Sequence, residues 1–427
     1  MDWLDEAIRP VYEKLARMGR KKLAEMYRAC FRSTWDTTLQ RSDGTVFLVT
    51  GDIPAMWLRD SSAQVYHYVP HAAQYPEVRQ AILGLMRRQF QYIALDPYAN
   101  AFNREANDHR THLDETNWTP EQRSWVWERK YEVDSLCYPI RLTHAFWKQT
   151  GDVSWCGEAF RRAAETILDV WETEQRHGEK SLYYFNRSHC RASDTLSHEG
   201  KGAPTAYTGM TWSGFRPSDD ACLYGYLIPS NFFAAKSLEQ MAEICSALLP
   251  DSGIGERACR LREQILSGLN QYAQTERPEF GRVFAYETDG LGHSLLMDDA
   301  NVPSLLSLPY LGCVPASDPI YQNTRKMLLS PANPYYYTGT CAKGIGSPHT
   351  PPDYIWPISL CVQGLTSEDR EEIRGLADIL ENLDADTLLM HEGVHKDDPK
   401  QFTRPWFAWA NSILSEFVEK AVGWLEA

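Results

Sequence analysis

The 427-residue sequence is short of several signals that would assign it to common classes. It contains no run of about 18 apolar residues, the length a helix needs to cross a bilayer. It has no long Lys/Arg block and carries a formal net charge of −14. Nucleic acid and anionic membrane are held mainly by cationic side chains, so neither is an expected partner. Gly- or Ser-rich linkers and low-complexity tracts are missing, so no domain boundary is marked and residues 1–427 read as a single domain. The N-terminus, MDWLDEAIRPVYEKL, is an amphipathic helix and not a charged-then-apolar leader. The ten cysteines, among them Cys30, Cys137, Cys222 and Cys361, form no C-x-x-C pair and several fall in apolar helical patterns. This usage fits reduced core thiols in a cytoplasmic protein.

What is present is helix and aromatic surface. The chain has 14 Trp and 22 Tyr, residues that form the core and also serve as platforms for sugar rings. Six segments share a plan in which a polar or acidic turn leads into a stretch apolar on nearly all sides. They begin at Gly51, Lys130, Phe215, Leu296, Thr350 and Arg404. Helices apolar all round are buried all round. Between them run amphipathic stretches rich in Lys, Arg and Glu, such as PEVRQAILGLMRRQFQYIAL from Pro76 and EDREEIRGLADILENL from Glu368. That alternation predicts an all-α (α/α)6 toroid, an inner ring of six helices inside an outer ring of six. Short strand-like pieces from Lys180 and Arg282 predict a few β-hairpins at one end. The turns entering the inner helices would then crowd one mouth, where site residues gather.

The pentapeptide HEGVH, residues 391–395, matches the H-E-x-x-H pattern in which two histidines one helical turn apart bind zinc. Gly393 weakens the required helix and Pro399 follows closely. The third ligand of the longer zinc motif is missing too, with Gln401 in the place of the final histidine. No metal or other cofactor is expected, and the histidine pair His109 and His112 reads as a polar surface loop.

With metal set aside, the carboxylates near the inner segments remain: Asp52, Asp60, Asp134, Asp219, Asp220, Asp298, Asp299 and Glu392. Any one alone is best read as a helix cap. As a set gathered at one mouth with tryptophans, they suit glycosidic bond cleavage, which needs one protonated carboxyl and one carboxylate. A neighbouring carboxylate, as in the Asp219–Asp220 pair, is one way to keep an acid protonated.

GDIPAMWLRDSS at 51–62, SGFRPSDDACLYGYLIPSN at 213–231, LMDDANVPSLLSLPY at 296–310 and HEGVH together resemble glycoside hydrolase family 125, in order along nearly the whole chain. The resemblance implies an (α/α)6 toroid and a metal-independent, inverting exo-α-mannosidase acting on non-reducing-end α-1,6-linked mannose of oligosaccharides such as N-glycans. It places the general acid on Asp220 and the general base on Glu392. It also implies that Arg59 and Asp60 bind sugar hydroxyls beside an apolar wall, Trp57. Asn301, His349, Asp52 and Asp134 complete the expected substrate contacts. Alternatives are another (α/α)6 glycosidase or phosphorylase of glucoamylase or trehalase type, and a non-catalytic glycan-binding protein. A helical terpene synthase is disfavoured, because Leu223, Val302 and Gln401 break every D-D-x-x-D.

Overall fold

The computed structural model describes residues 2–425. Five of the six buried segments form helices, Leu58–Tyr66, Val133–Thr150, Ile228–Leu248, Pro357–Leu365 and Ala408–Ala421. Leu58–Tyr66 packs on Val133–Thr150, which packs on Ile228–Leu248, and Pro357–Leu365 packs on Ala408–Ala421, which closes back on Leu58–Tyr66. Outside lie Lys21–Thr37, Pro76–Leu95, Glu158–Glu174, Ile254–Tyr272, Pro319–Leu328 and Arg370–Glu381, with Trp3–Arg17 added against the first of these. The two-ring architecture therefore follows the hydrophobic pattern. Inner helices such as Ile228–Leu248 bury residues on every face, whereas Arg370–Glu381 buries one stripe, Ile373, Leu376, Ala377 and Leu380. Four of the ten cysteines, Cys30, Cys137, Cys245 and Cys361, are buried, and all ten are free thiols. Among the described residues no helix is long and apolar enough to cross a membrane.

The fourth inner segment departs from the expected helix. Residues 296–312 form a chain of turns in which Pro303 and Pro309 interrupt helical hydrogen bonding. Asp298 organises it, accepting N–H bonds from Leu305 at 2.9 Å and Leu306 at 3.0 Å. Burial pushes this carboxyl up to about 8, against those two bonds. The segment is tied into the ring by Tyr138, whose hydroxyl donates to the Val302 carbonyl at 2.9 Å.

Strands are more numerous than expected but short, two to five residues each, and they pair in seven small sheets. Phe185–Arg187 pairs with Asp114–Thr116, and Gly281–Phe284 with Gln274–Arg277. Several sheets carry the entrances of inner helices, as Met56–Trp57 does on Ala101–Phe102. Helix starts at this end also differ from ordinary ones. Three of the seven outer helices use an aspartate, Asp2, Asp318 or Asp369, as a side-chain cap. The inner five have no side-chain cap, and three begin after an aromatic residue, Trp57, Trp356 or Phe407.

Candidate active site

A cavity of about 290 Å³ opens at the end of the ring where the inner helices begin. Its apolar walls are Trp57, Trp356, Phe407 and Ile53, and its polar lining comprises Thr50, Arg59, Asp60, Ser218, Asp219, Asn301, His349, Glu392 and Arg404. The aromatic residues are the uncapped helix starts, so the backbone that closes the ring also supplies the sugar-sized walls.

Glu392 reaches the cavity from a loop and not from a helix. The HEGVH segment is irregular up to Val394–His395, a strand paired with Tyr354–Ile355 on one side and Asp398–Phe402 on the other. Gly393 passes within contact of Trp356 and Thr403, where a side chain's Cβ would lie 3.2 Å from the threonine hydroxyl. The two histidines are not one helical turn apart. His391 stacks on Phe402, centroids 3.8 Å apart, and His395 stands edge-on to Tyr354.

Arg404 borders Glu392, with Nη1 3.7 Å from Oε1. Its backbone is left-handed, with φ +47°, and its guanidinium lies over Phe407. Asp52 holds it, accepting from Nε at 2.9 Å and Nη2 at 2.5 Å. Asp52 therefore stands behind the lining as the partner of Arg404, and not among the cavity residues or beside Arg59. Gly51 allows this arrangement: at φ +135° it lets the chain run against the Trp406 carbonyl, where a Cβ would collide at 2.1 Å.

Another part of the lining comes from the turn Arg216–Pro217–Ser218–Asp219. Proline suits its second position, the Asp219 N–H closes onto the Arg216 carbonyl at 2.9 Å, and Asp219 takes φ +69°. Asn301 fastens the turn by donating Nδ2 to the Pro217 carbonyl at 2.6 Å, and Ser218 donates to Asp299 at 2.7 Å. Asp220, which follows, is 1% exposed and lies just behind the lining. Its Oδ1 is 3.1 Å from His349 Nδ1, while Oδ2 is buried with no hydrogen-bond partner. Burial pulls the His349 imidazole down, but the hydrogen bond and charge of Asp220, with Glu392 and Asp219 beyond, hold it above the ordinary histidine value.

The floor is a buried charge cluster centred on Arg59. Its guanidinium contacts Glu132, Asp134 at 3.4 Å and Asp219 at 3.2 Å, and its Nε lies 3.4 Å from Asp60. Burial pushes Glu132 well up and Asp134 up to about 6, with Arg59 opposing both. Asp219 moves the other way: burial raises it, but Arg59 and Lys130 outweigh that and hold it well below the usual carboxylate range. Asp134 is wholly buried, bonded to Arg59 and Ser230, and does not line the cavity.

The model of the metal-independent α-mannosidases, glycoside hydrolase family 125, matches residues 20–419. The chain belongs to this family. A family structure from Streptococcus pneumoniae, a non-productive substrate complex with α-1,6-mannobiose, is 46% identical, with a TM-score of 0.94 over 99% of this chain and 97% of that one. The meiotically up-regulated gene 157 protein of Schizosaccharomyces pombe is 38% identical over 434 residues, covering 97% of this chain and 84% of its own length. A bacterial glucoamylase bound to acarbose, 13% identical with a TM-score of 0.57 over 95% of this chain and 56% of its own, shares the fold alone.

Six of the nine site residues expected from sequence line the cavity of this α-mannosidase: Trp57, Arg59, Asp60, Asn301, His349 and Glu392. Asp220 is joined to them through His349, whereas Asp52 and Asp134 lie outside the lining, bonded to Arg404 and Arg59. Sequence reasoning did not single out Arg404, Phe407 or Glu132, and it weighed Asp219 only among the mouth carboxylates and as the neighbour of Asp220. The signals for Arg404 and Phe407 were at hand, since both sit in the RPWF turn that opens the sixth buried segment.

Proposed function

We propose that this α-mannosidase removes single α-1,6-linked mannose residues from the non-reducing ends of oligosaccharides, with inversion, Asp220 acting as general acid and Glu392 as general base. The observation that carries this reading is the pairing of a confined, aromatic-walled cavity with carboxylates supplied by two separate loops, Glu392 from one and Asp220 beside His349 from another. A cavity of about 290 Å³ suits one terminal hexose better than an internal stretch of glycan, which favours exo action. The α-1,6 linkage is supported by the mannobiose held in the Streptococcus pneumoniae structure.

In this mechanism Glu392 takes a proton from a water molecule whose oxygen attacks C1. The C1–O bond breaks with its electron pair going to the leaving oxygen, and Asp220 protonates that oxygen. Arg59, Asp60 and Asn301 bind the hydroxyls of the mannose, and Trp57, Trp356 and Phe407 exclude water around it. The first product is β-mannose. Inverting geometry requires the two carboxyls to stand about 6.5–9.5 Å apart in the substrate complex.

The test is a panel of mannobioses differing in linkage, with product anomer followed by NMR in the presence of chelator. Release of β-mannose from the α-1,6 isomer, lost in Asp220→Asn and Glu392→Gln, is the expected result. Release of α-mannose, or full activity in either variant, would overturn the assignment. A phosphorolytic reading predicts dependence on added phosphate and is checked in the same assay. We further assign the activity to one catalytic domain spanning the chain, supported by a contiguous core from Trp3 to Leu425. The ten free thiols support a reducing compartment such as the cytoplasm.

A further inference from the structure

Asp220 has an asymmetric environment that bears on how an acid must work. One carboxyl oxygen, Oδ1, meets His349 Nδ1 at 3.1 Å, and the other, Oδ2, is buried and unpartnered. A carboxylic acid delivers its proton from one oxygen only. The carbonyl oxygen of a protonated carboxyl is the better acceptor, so a donor fixed at one oxygen favours the proton on the other.

The backbone that carries His349 is held firmly. Its own N–H donates to Ser347 Oγ at 3.1 Å, making a turn of the SPHT sequence, and its carbonyl accepts from Arg191 Nη1 at 2.9 Å. The next residue, Thr350, accepts from the buried Trp356 indole at 3.0 Å, tying the turn to a cavity wall. The charged groups facing the imidazole are Asp220, Asp219 and Glu392, and Arg191 approaches Asp220 from the solvent side at 4.0 Å. Three acidic neighbours favour a proton on the ring nitrogen that faces Asp220. His349 itself is 25% exposed at the cavity lining, against 1% for Asp220.

We propose that His349 is a positioning residue for the acid and not chiefly a sugar contact: it donates Nδ1–H to Asp220 Oδ1 and so reserves Oδ2 as the oxygen that carries the transferable proton to the leaving group. This rests on the reading of Asp220 as general acid. No atom is gained or lost in the step, since His349 keeps its proton while the Oδ2 proton passes to the leaving oxygen.

Leaving-group dependence separates the two roles. An alkoxide leaving group, as in α-1,6-mannobiose, needs protonation, whereas 2,4-dinitrophenolate departs without it. Full-length wild type, Asp220→Asn, His349→Ala and His349→Asn are compared on the mannobiose and on 2,4-dinitrophenyl α-mannoside. Asp220→Asn and His349→Ala should both lose about a hundredfold or more in kcat on the mannobiose, with KM little changed, yet stay within about tenfold on the activated substrate. His349→Asn, whose amide restores an N–H toward Oδ1, should recover at least about tenfold over His349→Ala. Should His349→Ala fold poorly, the same pattern in the asparagine variant alone, a loss confined to the mannobiose, carries the test. An equal loss on both substrates for the His349 variants, or a raised KM with kcat kept, would make His349 a sugar contact and overturn the proposal. If Asp220→Asn itself loses equally on both substrates, the acid assignment fails first, and the proposal with it.

Discussion

Each end of the ring buries an arginine, and the two are treated in opposite ways. At the mouth Arg59, 3% exposed, is surrounded by four carboxylates, Asp60, Glu132, Asp134 and Asp219. At the far end Arg141, 5% exposed, lies between two aromatic rings, its guanidinium 3.6 Å from the Tyr66 centroid and 4.8 Å from that of Tyr310. One carboxyl, Glu416, accepts from the Tyr310 hydroxyl at 2.9 Å. The far end satisfies a cation with π-faces and a single hydrogen-bonded acid, which closes the ring with little excess charge. The mouth instead concentrates acids beyond what its cation neutralises, and desolvated like charges are costly. That cost is understandable where hydroxyl-rich substrate and acid–base chemistry need carboxyls, and it would be wasteful anywhere else.

The comparison breaks most visibly at Arg59. Arg59→Met leaves buried carboxylates without their cation and should cost ~3–5 kcal/mol in urea unfolding together with mannose release. Arg141→Met should cost less, about 1–3 kcal/mol, because aromatic and hydrogen-bonded neighbours tolerate an apolar replacement better. Equal costs at the two ends would refute the contrast. A cleaner functional split comes from Glu392→Gln, expected to lower kcat by about 10²–10⁴-fold while the melting temperature moves little.

The far end has its own signature in pH. Burial pushes Glu416 up to about 7, opposed by Arg141, and Glu419 up to about 7, opposed by Tyr27. A carboxyl that binds its proton more tightly when folded stabilises below its unfolded value near 4.5 and loses that contribution as pH rises through about 7. Stability should therefore decline between pH 5 and 8, by ~1–2 kcal/mol for each group. Glu416→Gln should flatten part of that slope in denaturation curves taken across this range, and an unchanged slope would remove the far-end acids from consideration. The smallest effect concerns HEGVH. Exhaustive dialysis against EDTA should leave activity and melting temperature unchanged, and His391→Asn should cost only about 1 kcal/mol, the stacking on Phe402.

Much of this was readable from local pattern. The five inner helices follow from stretches apolar on all sides, and Gly393 with Pro399 foretold that HEGVH is not a helix. The fourth segment misled because its apolar content matches its neighbours while Pro303 and Pro309 deny it helical bonds. Among site residues, those inside the WLRD, DDAN and HEGVH stretches reached the cavity. Asp52 and Asp134 did not, because whether an acid faces the cavity or an arginine depends on partners far away in sequence, Arg404 in one case and Arg59 in the other.

Hydrophobic periodicity, local turn chemistry and the motifs are properties of neighbouring residues, so the sequence by itself determined the two-ring architecture, the catalytic family and the pair Asp220 and Glu392 as candidates. Pairings across the ring are properties of distance in space. Which acids are neutralised, which oxygen of Asp220 is free, and which aromatic residues wall the cavity were decided only when the ring closed and brought residues hundreds of positions apart within bonding reach.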